Sequence, residues 1–158
     1  MGKEIERKFL VTDSSFEQMA SESVRIRQGY LCTDADATVR VRVVGDRAVL
    51  TIKSRNRGAV RDEWEYDIPP ADAADMLGRC CGGRYVDKVR YIVPFGGRTW
   101  EVDVFGGTLA PLIVAEVELP SEDAPLELPA FVGREVTADA RYYNSSLCMA
   151  SEPPAAEG

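Results

Sequence analysis

Apolar and polar residues alternate along most of the chain, in short runs that turn-forming residues separate. Because side chains two apart on a strand share a face, this alternation predicts strands with one apolar and one polar face. Gly45-Asp46, Gly96-Gly97 and Gly106-Gly107 lie between successive runs and favour tight hairpins. Together the runs predict an antiparallel sheet that closes on itself or folds into a sandwich. The eight predicted strands cover residues 4–11, 24–31, 38–44, 48–53, 61–68, 85–94, 99–105 and 112–119.

Helices are a minority in this pattern. Residues 71–80 follow Pro69-Pro70 and precede Gly82-Gly83, which is typical of a helix with proline at its start and glycine past its end. Two weaker helices are predicted over 14–20 and 139–150. The chain is therefore predicted to be mainly β, with a few helices.

Charged residues occupy the polar face of the predicted strands, and they occur in pairs of one sign. Two residues that are two apart on a strand lie about 7 Å from each other. An open sheet with one solvated face is the ordinary explanation of such alternation, but surfaces that only need to be stable mix the two signs. Acidic pairs attract metal ions and basic pairs attract phosphate, so the like-signed pairs indicate binding sites. The pairs are Glu4 and Glu6, Arg40 and Arg42, Glu63 and Glu65, Lys88 and Arg90, Glu101 and Asp103, and Glu116 and Glu118, joined by Lys8 and Lys53.

Composition narrows the chemistry that these charges can perform. The 158 residues, 45% of them hydrophobic, suffice for one domain, expected over 1–150. Residues 151–158 are small, include proline and lack apolar periodicity, so a disordered tail is expected there. The chain has no histidine, which excludes imidazole-based triads, the common zinc sites and histidine acid–base catalysis. Any catalysis must use carboxylates, amines, guanidinium groups or a bound metal.

Charge and cysteine content indicate the compartment and the partners. The chain has 26 acidic and 19 basic residues, a formal net charge of -7 and no clustered basic stripe, so no nucleic-acid partner is expected. Its first residues are charged where a signal peptide is apolar, and no stretch is long enough for a membrane span. The four cysteines have no CxxC spacing, which argues against structural zinc. A cytoplasmic protein with reduced thiols is expected.

A closed sheet with its charged face inward would form a lumen lined by carboxylates and cations together. Several Arg and Lys side chains match the charge of a polyphosphate, and hard divalent cations take oxygen ligands from carboxylates and phosphates. Phosphoryl transfer depends mainly on positioning and charge neutralisation, so the missing histidine is no obstacle. The pattern therefore predicts a site for a metal–polyphosphate complex.

The motif Glu4-Ile5-Glu6-Arg7-Lys8 matches the ExExK signature of the CYTH superfamily, also called triphosphate tunnel metalloenzymes. Residues 3–148 resemble the small bacterial inorganic triphosphatases of this family. The resemblance implies an α+β, mainly β fold: an eight-stranded antiparallel closed β tunnel with a charged lumen and a few covering helices. The further motifs, in the family's order, are Arg40-Val41-Arg42, Thr51-Ile52-Lys53, 61–65, Lys88-Val89-Arg90, Glu101-Val102-Asp103, Glu116-Val117-Glu118 and 135–144.

The resemblance also implies roles for individual residues. Glu63 and Glu65 either hold the cationic side chains by ion pairs or contact the metal, and Arg61 is a further supporting residue. Mg²⁺ or Mn²⁺ is expected on Glu4, Glu6, Glu101, Asp103, Glu116 and Glu118. Phosphate is expected on Lys8, Arg40, Arg42, Lys53, Lys88 and Arg90.

Lys8 and Tyr30 are the candidate catalytic residues. Tyr30 shares a strand face with Gln28 and could orient or deprotonate a water inside the tunnel, although buried strand tyrosines are common. Lys8 accepts a proton if the surrounding cations favour its neutral amine. If the neighbouring carboxylates dominate, it stays charged and neutralises phosphate. The sequence leaves both alternatives open.

The function that the resemblance implies is metal-dependent hydrolysis of a triphosphate, with inorganic triphosphate cleaved to pyrophosphate and phosphate. Adenylate cyclisation and thiamine triphosphate hydrolysis on the same tunnel are alternatives. A non-catalytic polyphosphate-binding module is the alternative from another class, but an anion binder gains nothing from so many carboxylates beside its ligand. The expected partner is a small-molecule triphosphate or polyphosphate, with no membrane partner. The expected assembly is a monomer or homodimer.

Overall fold

Eight antiparallel strands form a closed barrel in the computed structural model, which describes residues 2–82 and 84–155. Their order around the barrel is β5-β4-β3-β2-β6-β7-β8-β1, and pairing of β1 with β5 closes it. The predicted closed antiparallel tunnel is thereby confirmed. The strands are β1 (Gly2–Val11), β2 (Glu22–Thr33), β3 (Ala37–Val44), β4 (Arg47–Ser54), β5 (Val60–Ile68), β6 (Tyr85–Phe95), β7 (Arg98–Phe105) and β8 (Ile113–Glu118).

A short further strand, β9 (Val132–Glu135), pairs with the second half of β1. It was not predicted, because four residues that include two charges show no clear alternation. Gly133 allows β9 to approach closely, since a Cβ at this position would lie 2.7 Å from the Cγ2 of Thr12. One edge of β1 is thus shared by β5 and β9, while β8 occupies the other edge.

In the described residues, three short helices cover the barrel: α1 (Phe16–Met19), α2 (Pro70–Arg79) and α3 (Asn144–Met149). Only α2 matches its predicted length. The helix predicted over 139–150 is broken at Tyr143, whose backbone is extended, into a 3₁₀ turn (Ala140–Tyr142) and α3. Among the described residues, no helix is both long and apolar enough to cross a bilayer. Of the predicted tail, 151–155 form no helix or strand, and 156–158 lie outside the described residues.

Apolar side chains on the outward strand faces form two buried clusters. One surrounds Trp100 beneath α1, where Phe16 is completely buried. The other surrounds Val41 beneath α2 and includes Ala73 and Leu77 of that helix. Burial of these side chains against helices and loops is the main stabilisation of the barrel wall, since it removes apolar area from water. The charged residues are therefore left on the inward faces.

The inward faces change from charged to apolar towards one end of the barrel. A third cluster fills that end and includes Tyr30, Val86, Phe105 and Val114. The turn before α3 and α3 itself close it with Tyr142, Leu147 and Cys148. The charged section of the lumen is consequently closed on this side by packed apolar side chains.

Candidate active site

The charged section of the barrel encloses a cavity of about 540 Å³. One wall is acidic and comes chiefly from β1 and β8. The opposite wall is basic and comes from β3, β4 and β6. Most of the predicted site residues line this cavity, namely Glu4, Glu6, Arg40, Arg42, Lys53, Glu63, Glu65, Arg90, Glu101, Glu116 and Glu118.

Glutamates face one another across the acidic wall. The antiparallel register of β1 and β8 places Glu6 opposite Glu118. Burial, together with the charges of Glu116 and Glu4, raises the pKa of Glu6 well above its ordinary value. The pKa of Glu118 is also raised, by burial and by the charges of Glu4 and Glu101. Glu6 forms no ion pair with the basic side chains of the described residues. Ionisation of Glu6 and Glu118 is therefore unfavourable unless a further cation is present.

Two carboxylates of this wall are held by cations. Burial opposes ionisation of Glu4, but Lys53 at 2.7 Å outweighs it, and the pKa falls to about 2. Burial likewise opposes ionisation of Glu116, but Lys8 at 3.5 Å and the nearby basic residues lower its pKa. Arg61 lies 3.9 Å from Glu4, and its supporting role stays a prediction. Both glutamates are thus ionised at neutral pH.

The acidic wall has the donors that a hard divalent cation requires. Carboxylate oxygens are the preferred ligands of such ions. A bound cation would relieve the repulsion that Glu6 experiences from Glu116 and Glu4, and that Glu118 experiences from Glu4 and Glu101. In the described part of the chain, no three acidic side chains already form a complete ligand set. Lys53 and Lys8 contact Glu4 and Glu116 at the edges of this group. The residue types and their charge therefore fit a metal.

Two arginines on the basic wall lack a neutralising partner. Arg42 donates from Nε to Oε1 of Gln28 over 2.7 Å, and Arg40 donates from Nη2 to Oγ1 of Thr51 over 3.3 Å. Neither forms an ion pair with a carboxylate of the described residues. Burial and the charges of Arg40 and Arg90 lower the pKa of Arg42 to about 9. This repulsion among cations favours binding of a polyanion between them.

Two other cations of the predicted phosphate cradle, Lys88 and Arg90, are held by Asp103. Its carboxylate accepts from Nζ of Lys88 over 2.6 Å and from Nε and Nη2 of Arg90 over 2.7 and 2.9 Å. Arg90 also donates to Glu101 over 2.9 Å. Burial lowers the pKa of Lys88 to about 8, although Asp103 opposes this shift. The structure places Lys88 and Asp103 behind the cavity wall, with Arg90 at the surface of the wall.

Neither candidate catalytic residue lies in the lining of the main cavity. Lys8 is buried and donates from Nζ to the carbonyl of Tyr142 over 2.7 Å. It borders a small second chamber of about 40 Å³, which Glu4 and Glu6 separate from the main cavity. Tyr30 packs in the apolar end of the barrel, where burial raises the pKa of its phenol. A phenol with a raised pKa is not a proton acceptor at neutral pH.

The sequence interpretation assigned no role to Gln28, Thr51 or Asn144, which contact or line the site. In the sequence, the two-residue period of a strand places Gln28 on the same face as Tyr30. This was the one indication that Gln28 points into the barrel. Asn144 reaches the cavity because α3 folds over the barrel end, which strand patterning does not show. Thr51 also donates to Glu65 over 3.4 Å and so links Arg40 to that glutamate.

Comparison with known families agrees with this geometry. The model of the CYTH domain matches residues 2–147. The chain belongs to the CYTH family. The predicted family is therefore confirmed, and CYTH triphosphatases are in general metal-dependent.

Two CYTH proteins that are similar to this chain along most of its length are inorganic triphosphatases. The protein from Acetivibrio thermocellus is 46% identical over 147 residues, which are 93% of this chain and 94% of the relative. The protein from Nitrosomonas europaea is 41% identical over 150 residues, which are 92% of this chain and 97% of the relative.

Solved structures show the same barrel. The crystal structure of an inorganic triphosphatase has 38% identity and a TM-score of 0.68, covering 98% of this chain and 99% of that chain. A Hippeastrum protein has 16% identity and a TM-score of 0.56, covering 75% of this chain and 80% of that chain. The second likeness concerns the CYTH fold alone.

Proposed function

We propose that this CYTH chain hydrolyses inorganic triphosphate to pyrophosphate and phosphate, with Mg²⁺ or Mn²⁺. The observation that carries the proposal is a single cavity of about 540 Å³ with unpaired arginines on one wall and repelling glutamates on the other. The apolar end cluster closes the barrel behind the charged section, which suits a short polyanion. The two similar inorganic triphosphatases support the same substrate class.

The side chains of the basic wall bind phosphate, and those of the acidic wall bind the metal. Arg40 and Arg42 bind phosphate oxygens directly, since their guanidinium groups lack other anions. Lys53 and Arg90 also line the cavity, but carboxylates already pair with them. Glu6 and Glu118 hold the metal, aided by Glu4, Glu116 and Glu101. The bound ion supplies charge neutralisation and an activated water. We propose that Asp103 and Lys88 act indirectly, because both are paired behind the wall.

Product analysis tests the proposed reaction. Tripolyphosphate, ATP, thiamine triphosphate and longer polyphosphate are incubated with the protein and Mg²⁺ or Mn²⁺, and the products are separated. We expect tripolyphosphate to yield equimolar pyrophosphate and phosphate. Cyclic AMP from ATP, or preference for thiamine triphosphate, would instead support the alternative enzymes. Binding of tripolyphosphate without turnover under every metal condition would support a binding module.

Mutations in the acidic wall and in the basic wall should affect activity in different ways. Glu118→Gln keeps the side-chain volume but removes a metal-ligand charge, so excess metal should restore part of its activity. Arg42→Ala removes a phosphate donor, so we expect KM to rise at least tenfold with no restoration by metal. Metal titrations of initial rate compare the two variants with the wild type. Identical titration curves for both variants would contradict this division.

Lys8 neutralises charge in this proposal and does not take a proton. Its contacts with the Tyr142 carbonyl and the Glu116 carboxylate are those of an ammonium group. Lys8→Arg should therefore keep most of the turnover and the alkaline limb of the pH–rate profile, because arginine preserves charge. Lys8→Ala is the control and should lose activity. Loss of the alkaline limb in Lys8→Arg alone would favour the general-base role.

We also propose a cytoplasmic location. All four cysteines are unpaired, which is the usual state of thiols in a reducing compartment.

A further inference from the structure

Gln28 is a buried polar residue to which the proposed function gives no role. It lies on the inward face of β2, where the register places it opposite Arg42 of β3 and Val86 of β6. Its side chain is completely buried. A buried amide is costly unless its polar atoms have hydrogen-bond partners, so its presence here requires an explanation.

The amide of Gln28 holds Arg42 by one atom. Nε of Arg42 donates to the amide oxygen over 2.7 Å. Because Nε can only donate, this contact fixes which end of the amide carries the oxygen. The Nη groups of Arg42 have no acceptor among the described residues, and Arg42 lines the main cavity. Gln28 therefore restricts the guanidinium while its outer donors stay available.

Arg90, on the same wall, is held in a different way. Asp103 and Glu101 bind it through three hydrogen bonds of 2.7 to 2.9 Å, and both acceptors are carboxylates. Such a clamp positions the arginine but also cancels its charge. A neutral amide positions Arg42 without that loss. Arg90 is thus neutralised by carboxylates, whereas Arg42 keeps its full charge.

The surroundings of Gln28 are rich in donors and poor in acceptors. Its amide nitrogen and Nε of Arg40 are buried without hydrogen-bond partners in the described residues. An unpaired buried donor lowers stability. A carboxylate in place of the amide would pair with Arg42 and leave no unpaired amide nitrogen, so glutamine is the less stable choice for the free protein. The neutral side chain is then explained by the anion that Arg42 binds.

We infer that Gln28 is a positioning residue that orients Arg42 through Nε and, by being neutral, leaves the charge of Arg42 for a phosphate group of the substrate. The inference rests on the proposed function, in which Arg42 binds that phosphate. It predicts opposite effects of a carboxylate at this position on the free protein and on the complex.

The decisive variant is Gln28→Glu, which keeps the shape and the acceptor but adds a negative charge. Without ligand, its melting temperature should rise above that of the wild type, because Arg42 gains an ion-pair partner. With tripolyphosphate and Mg²⁺, its KM should rise about tenfold to a hundredfold, the range expected for a lost charge-assisted contact. The melting-temperature increase caused by saturating tripolyphosphate should shrink accordingly.

Two further variants separate positioning from general destabilisation. Gln28→Met has a similar volume but removes the amide oxygen that accepts from Arg42. Its KM should therefore rise, and its melting temperature should not rise above that of the wild type as it does in Gln28→Glu. Gln18→Glu, at the chain's other glutamine on the exposed face of α1, adds the same charge and should change neither quantity. Gln28→Met also keeps the inference testable if Gln28→Glu does not fold.

The outcomes are distinguishable. If the wild type cleaves tripolyphosphate and is stabilised by it, but Gln28→Glu and Gln28→Met have unchanged KM, the inference is wrong and the proposed function stands. Equal destabilisation of both variants without ligand, with KM unchanged, would mean that Gln28 is only structural. If the wild type neither cleaves nor binds tripolyphosphate, the proposed function is wrong and the inference falls with it.

Discussion

Replacing Asp103 with asparagine should lower the free energy of unfolding by about 3–5 kcal/mol, the cost of leaving buried charges without their partner. Asp103 is almost fully buried and accepts three hydrogen bonds from Lys88 and Arg90. Asparagine keeps the shape but turns one acceptor into a donor that faces these cations. Urea denaturation of the variant and the wild type, without ligand, measures the difference.

The matched control is Asp67→Asn. Asp67 pairs with Arg47 over 3.1 Å, but both side chains are more than 70% exposed, so its replacement should cost less than about 1 kcal/mol. Adding Lys88→Met to Asp103→Asn should recover part of the stability, because one of the two unpaired cations is removed. Asp103→Asn should also slow tripolyphosphate cleavage, since Arg90 loses its clamp. A variant as stable as the wild type would refute the structural role of the clamp.

Asp103 also shows what the sequence could not decide about the site. Its spacing from Glu101 indicated a like-signed pair and hence a metal-ligand pair. The register of β6 and β7 places Arg90 opposite Asp103, however, and Lys88 reaches the same carboxylate. Strand periodicity predicts which side chains face inward, but contacts between neighbouring strands depend on register. The metal role of Asp103 therefore remains a sequence prediction, and the structure favours indirect action.

More of the barrel than of the site could be predicted from the sequence. Alternation predicted all eight barrel strands, and the like-signed pairs indicated binding sites on their charged faces. The resemblance to the CYTH family implied that these faces line a closed lumen. The closed end was not predicted, because the apolar cluster depends on how α3 and Tyr142 fold over the barrel. For the same reason, the contact of Lys8 was not predicted. Its Nζ donates to the carbonyl of Tyr142, which lies 134 positions away in the chain.

Replacing Glu6 with glutamine should make the free protein more stable and the enzyme nearly inactive. Glu6 lies opposite Glu118 and near Glu4 and Glu116, and it has no ion-pair partner in the described residues. Glutamine has the same shape without the charge. We expect activity with tripolyphosphate to fall at least about a hundredfold, because a metal-ligand carboxylate is lost. As for Glu118→Gln, excess metal should restore part of it.

The stabilisation should depend on pH in a defined direction. The folded protein raises the pKa of Glu6 above the ordinary 4.5, through burial and the neighbouring carboxylates. Below 4.5 the carboxyl is protonated in both the folded and unfolded states, and the two proteins should differ little. As pH rises from 4.5 through the raised pKa, the wild type loses stability that Glu6→Gln keeps. At pH 8 the variant should therefore be the more stable of the two proteins.

Unfolding free energies in chelator-treated buffer, measured at several pH values, check this expectation. Glu17→Gln, on the exposed side of α1, is the control and should follow the wild type at every pH. Added metal should reverse the order of stability, because the ion binds the carboxylate of the wild type and finds only a neutral amide in the variant. If Glu6→Gln were less stable than the wild type in chelator at pH 8, the carboxylates of this wall would not repel one another, and the main physical argument for a metal at this wall would be lost.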